Sequence, residues 1–242
     1  MNSFLFQLAL AVIPAVLAIT LHEAAHGYAA LALGDQTARM EGRLSLNPLR
    51  HVDRVGTIIL PGFLLISQLL TIGRVEFMFG WAKPVPVNPW AFANPRRGMM
   101  WVAMAGPAMN FFLAWLAALA LHPIGEPNGI FEVTVARFLI QFILFNLVLG
   151  LFNLLPIPPL DGGRIVVGIL PVSLARAWAE LERFGIVIVL GALFVVPMVA
   201  RELGMDINPI RDGLGAVLPW AMRLIFSLAG FEGAIDDDLF NT

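Results

Sequence analysis

The chain has 242 residues, of which 59% are hydrophobic and 13% charged, and its net charge is −2. A soluble domain is about 45–50% apolar and about 25% charged, so this is the composition of an integral membrane protein, with no basic surface to suggest nucleic acid. There is no cysteine, which excludes disulfides and thiolate ligands and leaves His, Asp, Glu or Asn to hold any transition metal.

The first apolar run, about 4–33, is long enough to cross a bilayer. It lacks the basic start of a signal peptide and runs on past two histidines, which predicts a retained transmembrane helix with Pro14 as a kink site. Residues 34–54 alternate weakly around Thr37–Leu46, a pattern for a short β-hairpin. Residues 55–72 are apolar but contain "LPGF" at 60–63. That predicts a break, and a re-entrant or surface-lying element with both ends on one side of the membrane. "GWAKPVPVNPW", 80–90, is Pro-rich and extended, and its Trp81 and Trp90 suit the membrane interface. Spanning helices are expected at about 98–121, 135–155, 184–200 and 214–230. The chain thus reads as an all-α polytopic membrane protein of about five to six transmembrane helices, embedded in a lipid bilayer. The connectors 34–54, 73–97 and 156–183 carry Arg and Lys, whereas 122–134 has Glu126 and Glu132 and neither basic residue. Cytoplasmic loops are enriched in Lys and Arg, so the three basic connectors read as inside.

The chemistry begins with "HEAAH", 22–26, inside the first apolar run. Residues i and i+4 share a helix face, so His22 and His26 can present two imidazoles to one ion while Glu23 projects beside them. Two histidines with an adjacent glutamate on a helix form the zinc-hydrolase arrangement of two ligands and a general base. An ionisable cluster within a membrane helix is functional by default. The site needs a third protein ligand. His51 and His122 sit in connectors or at a helix end, where interfacial polar residues are ordinary. Asp161 is favoured: it follows a helix broken by Pro156, Pro158 and Pro159, and Gly162 and Gly163 allow an unusual turn. Non-helical backbone at membrane depth is tolerated where it lines a cavity. Asn110 and Asn146 read as interhelical glue, whereas Asn153, at the edge of the proline break, can face the metal cavity.

Two of these stretches together resemble the site-2 protease family of intramembrane zinc metalloproteases. "HEAAH" is similar to its first motif, and "NLLPIPPLDGG", Asn153 to Gly163, to its second. "GRLSLNP" and "GWAKPVPVNP" look like stretches of compact prokaryotic members without PDZ or CBS domains. The resemblance covers about 20–165. It implies one zinc ion held by His22, His26 and Asp161, Glu23 as catalytic base and Asn153 as a stabiliser of the tetrahedral intermediate. It also implies a transmembrane protein substrate cut within or near its membrane segment, and the basic connectors turn the site towards the cytoplasmic side. On that reading 1–242 is a single membrane-embedded protease domain, with its catalytic core at about 4–165 and additional helices at about 184–230. An unwound substrate strand could pair with the extended stretches 36–46 or 80–90. Two other classes fit the metal motif: a membrane zinc hydrolase acting on a lipid amide or ester, and a non-enzymatic metal-binding or transport protein. The base beside the ligands argues against the second, since binding alone needs none.

Overall fold

The computed structural model describes residues 4–71, 73–74, 80–125 and 127–231; Glu126, one of the two acidic residues of its connector, lies outside them. The elements are helices throughout, and no strand occurs among the described residues. Helix α1 is Phe4–Ala32, with Pro14 inside it, and α2 is the single turn Thr37–Met40. Helix α3 is Arg54–Thr71, α4 Pro95–Leu119 and α5 Ile130–Asn153. Helix α6 is Asp161–Ile169, α7 the helical run Val172–Glu202 and α8 Pro209–Leu228.

Five helical stretches are long and apolar enough to cross a membrane: Phe6–Ala32, Arg54–Thr71, Pro95–Ile124, Ile130–Asn153 and Val172–Glu202. The protein is therefore a multi-pass, all-α membrane protein. Helix α8 is not among the five, because Arg211, Asp212 and Arg223 interrupt its apolar run. It nonetheless supplies part of the main core, where Ala221, Met222 and Ile225 pack with Ala114, Ala117, Ala118, Ile143 and Leu147. Alanine dominates that cluster because hydrocarbon gives no hydrophobic gain for burying larger side chains, and small residues let helices approach closely. Large apolar side chains point outwards instead, as at Val12, Ile13, Phe63 and Ile66.

The hairpin expected around Thr37–Leu46 is absent. Asp35 Oδ1 accepts the Thr37 amide at 2.9 Å and the Thr37 hydroxyl at 2.6 Å, closing a turn that starts α2 and removes the backbone donors a hairpin needs. The expected break at 60–63 is also absent. Pro61 lacks an amide, but the widened π-turn at Arg54–Ile59 precedes it and absorbs the missing bond, so the helix continues to Thr71.

The topological consequence expected of 55–72 is present by another route. The Trp81 amide donates to the Gly56 carbonyl at 3.1 Å, and the Thr57 hydroxyl donates to the Trp81 carbonyl at 2.8 Å. Eighteen helical residues extend about 27 Å, yet by residue 81 the chain is back at the foot of α3. Both ends of this excursion therefore lie together.

The main helices alternate in direction. Val102 of α4 meets His26 of α1, and Asn110, two turns further along α4, meets His22 and Ala18. Helix α4 is thus antiparallel to α1. Asn110 and Asn146 meet in turn; α4 and α5 are joined by only ten residues, 120–129, and pack together through Ala114, Ala117, Ala118, Ile143 and Leu147, so α5 runs antiparallel to α4 and parallel to α1. A single antiparallel crossing separates the end of α1 from the end of α5, which brings residues 22–26 and 161 to one depth.

Because the chain has no cysteine, single cysteines at Ser45 and Ala93 report this topology without background. An impermeant thiol reagent should label both from the same side of sealed vesicles. Labelling from opposite sides would mean that 54–81 crosses the membrane once.

Candidate metal centre

His22 Nε2 and His26 Nε2 lie 3.0 Å apart. Asp161 Oδ2 lies 3.2 Å from the first and 3.3 Å from the second. Donors about 2.0–2.1 Å from a tetrahedral ion stand roughly 3.3 Å from one another, so this triangle has the edge lengths of one face of a coordination tetrahedron. His22 is 4% exposed and Asp161 8%. The two stand 139 positions apart in the sequence, and no other group of three His, Asp or Glu side chains with metal-binding geometry occurs among the described residues.

The chemistry of the triangle calls for a cation. His26 Nδ1 lies 2.7 Å from the Val102 carbonyl oxygen. A carbonyl only accepts, so that nitrogen carries the proton and the neutral ring turns a bare lone pair at Nε2 towards the triangle. Asp161 Oδ2 is buried with no hydrogen-bond partner. Acceptors facing one another at this distance repel unless a positive ion lies between them.

Two glycines make the triangle possible. A Cβ on Gly106 of α4 would stand 2.5 Å from His26 Nε2 and 2.6 Å from His22 Cε1. Only hydrogen fits there, and α4 backs the imidazoles directly. A Cβ on Gly162 would stand 2.2 Å from the Leu155 carbonyl oxygen, so the start of α6 can cross over residues 154–155 only without a side chain. That crossing, with α6 packed on α4 through Gly168 and Met100, carries Asp161 to the histidines.

Glu23 is half-buried next to His22, and its Oε2 accepts the Val85 amide at 3.1 Å. The extended segment carrying Val85 is fixed at several points. The Lys83 amide donates to the His51 carbonyl at 2.8 Å, Arg43 Nη2 donates to the Lys83 carbonyl at 3.0 Å, and the Asn88 amide donates to Asp35 Oδ2 at 2.7 Å. The 80–88 stretch thus lies across the glutamate as a strap, with Val85 itself buried against Gly27.

The other sequence candidates fall elsewhere. His51 is 3% exposed but donates from Nε2 to the Ser45 carbonyl, and His122 bonds the Ala229 carbonyl and stacks on Phe231; neither joins the triangle. The Asn153 Nδ2 group donates to the Leu149 carbonyl of its own helix at 3.0 Å. Asn110, read from sequence as packing, instead touches the site: its Oδ1 lies 2.6 Å from His22 Nδ1. Asp35 and its hold on the strap carried no sequence signal beyond a lone acid after a helix.

Comparison with known proteins supplies independent support. The sequence pattern of peptidase family M50 matches residues 122–197, a stretch that holds Asn153–Gly163 but not the two histidines. The chain is 39% identical to the candidate zinc metalloprotease YwhC of Bacillus subtilis (strain 168) over 84% of its own length and 88% of that protein. It is 34% identical to the candidate zinc metalloprotease Rip2 of Mycobacterium tuberculosis (strain H37Rv) over 75% of its length, spanning 65% of that protein. A 66-residue stretch is 47% identical to Rip3 of the same organism, or 16% of that protein. No solved structure matches.

Gly106→Ala tests how the ligands are seated. The added methyl should force α4 off the imidazoles, lowering stability by about 1–3 kcal/mol and reducing bound metal. Elemental analysis and thermal unfolding of the purified variant check this. Full metal content with an unchanged melting temperature would mean that the helices sit further apart than the geometry here.

Proposed function

The chain belongs to peptidase family M50, the site-2 protease family of metalloproteases, and from that premise we propose that it is a zinc endopeptidase cutting a peptide bond within or near a transmembrane segment of another membrane protein. The observation that carries this reading is the convergence of His22, His26 and Asp161 within an apolar helical bundle, with a glutamate adjacent to one ligand. Zinc bound there would supply a water whose pKa falls towards neutrality and would polarise the scissile carbonyl. The three residues would hold it through two imidazole nitrogens and one carboxylate oxygen, leaving a position open.

The remaining steps belong to the chain. Glu23 takes a proton from the attacking water and passes it to the leaving amine. For this it must face the water rather than only the Val85 amide, and Oε2 alone is engaged there. Asn153 stands eight residues before Asp161 and offers an amide donor to the developing oxyanion. In doing so it exchanges its bond to Leu149. A helical substrate hides its own amides, so it must unwind first, and the strap at 80–88 is where the unwound strand would be held. The stretch 36–46 is no longer a candidate for that role, because Thr37–Met40 is helical. The Lys and Arg of the connectors at 34–54, 73–97 and 156–183 support a site towards the cytoplasmic face.

Glu23→Gln and Asp161→Asn should separate base from ligand. The first keeps zinc and lowers cleavage of a transmembrane peptide by about 10²–10⁴-fold; the second lowers zinc content and cleavage together. Full cleavage by Glu23→Gln would rule out the mechanism. Turnover of a lipid panel in place of the peptide would assign the same site to lipid hydrolysis.

Asn153→Ala should lower kcat by about 10²–10³-fold while zinc stays bound. A change confined to KM would return Asn153 to helix packing.

A further inference from the structure

Behind the inward edge of His22 runs a chain of hydrogen bonds through two wholly buried amides. His22 Nδ1 lies 2.6 Å from Asn110 Oδ1, Asn110 Nδ2 lies 2.9 Å from Asn146 Oδ1, and Asn146 Nδ2 lies 2.8 Å from the Phe142 carbonyl oxygen. Asn110 and Asn146 are each 0% exposed, so no water can substitute for a missing partner.

The direction of every bond follows from its last member. The Phe142 carbonyl carries no proton, so Asn146 must turn its NH₂ group to it, and Asn146 Oδ1 then faces Asn110. That oxygen accepts, so Asn110 must present its own NH₂ group; the Ala18 carbonyl, 3.5 Å away on the same side, also disfavours the flipped amide. Asn110 Oδ1 therefore faces His22, and Nδ1 of His22 must carry the proton. A neutral imidazole has one N–H, so Nε2 is left as a bare lone pair aimed at Asp161.

We propose that Asn110 and Asn146 are positioning residues that fix the tautomer and ring orientation of His22 for zinc ligation, with a backbone carbonyl of α5 setting the direction of the relay. This rests on the zinc-site reading given above. His26 obtains the same service from one backbone carbonyl, Val102. His22, one turn earlier on α1, faces Asn110 instead, and a side-chain acceptor does the same task there. Packing alone would not call for two amides at zero exposure, since each buried polar group left unpaired costs about 1–3 kcal/mol.

The test compares Asn110→Leu with Asn110→Asp in the purified full chain, measuring zinc affinity by chelator competition and the visible spectrum of the cobalt-substituted protein. Leucine is close in size but has no acceptor; aspartate keeps the acceptor and adds a charge. The relay predicts that Asn110→Leu weakens zinc binding about 10–100-fold and alters the cobalt spectrum, whereas Asn110→Asp, which keeps the acceptor for His22 and gives up only the donor to Asn146, is affected less in both. Packing predicts the reverse order, because a carboxylate at zero exposure disrupts a core that leucine fills. Asn146→Leu, which leaves the α1–α4 contact intact, should weaken zinc binding in the same direction by a smaller factor and guards against misfolding of the first variant. His22→Ala is the reference. If it abolishes zinc binding while both leucine variants bind normally, the relay is overturned and the zinc site stands. If His22→Ala itself binds zinc normally, the site reading falls and the relay with it.

Discussion

The structure turns on how close the backbone of α4 comes to α1. Two imidazoles and a carboxylate can share one small space inside an apolar bundle only if something backs them without filling it, and Gly106 does so with a hydrogen atom. Everything else at the site is arranged around that contact. Val102 and Asn110, one turn before Gly106 and one after, reach His26 and His22 from the same helix, while Gly168 lets α6 rest on the other side of α4 at Met100. Helix α4 is therefore the common wall against which both halves of the ligand set are placed. In a bilayer this wall cannot be built from large apolar side chains, which gain nothing by leaving lipid, and its buried residues are accordingly Ala, Gly, Pro, Val and one Asn.

The parts of this arrangement that were legible in the sequence are those fixed by local geometry. His22 and His26 share a face whatever surrounds them, because the helix repeat dictates it. Asp161 was legible through the prolines and glycines around it, since they mark backbone that cannot continue as helix. The spanning helices follow from apolar length. What failed did so for local reasons as well. The alternation near Thr37 counted side chains and missed that Asp35 would claim the Thr37 amide and hydroxyl. "LPGF" reads as a stop, but a π-turn placed just before Pro61 removes the need for one.

The parts that were not legible depend on which atoms meet across helices. Nothing in the spacing of Asn110 or Asn146 says that one faces a histidine and the other a carbonyl; as sequence, both resemble ordinary glue between membrane helices. That both ends of the 54–81 excursion share a side is legible in the Lys and Arg of its two flanking connectors. The bond that achieves it, Trp81 to Gly56, requires a glycine because any Cβ there would stand 2.4 Å from the indole ring. Pairings of this kind become visible only when both partners are placed.

The clasp between Asp35 and Asn88 gives the strap a defined response to acid. Asp35 is 2% exposed, and burial alone would raise its pKa. The donors at Thr37 and Asn88 outweigh this and hold the carboxyl below its ordinary value. A carboxylate shifted in that direction contributes its full stabilisation above the unfolded-state value, about 3.9, and loses it only as the pH falls through the lower, folded one. One end of the strap is therefore fastened by a group indifferent to proton concentration throughout the neutral range. Mild acidification of the adjoining compartment leaves it shut, and only strong acid unfastens it.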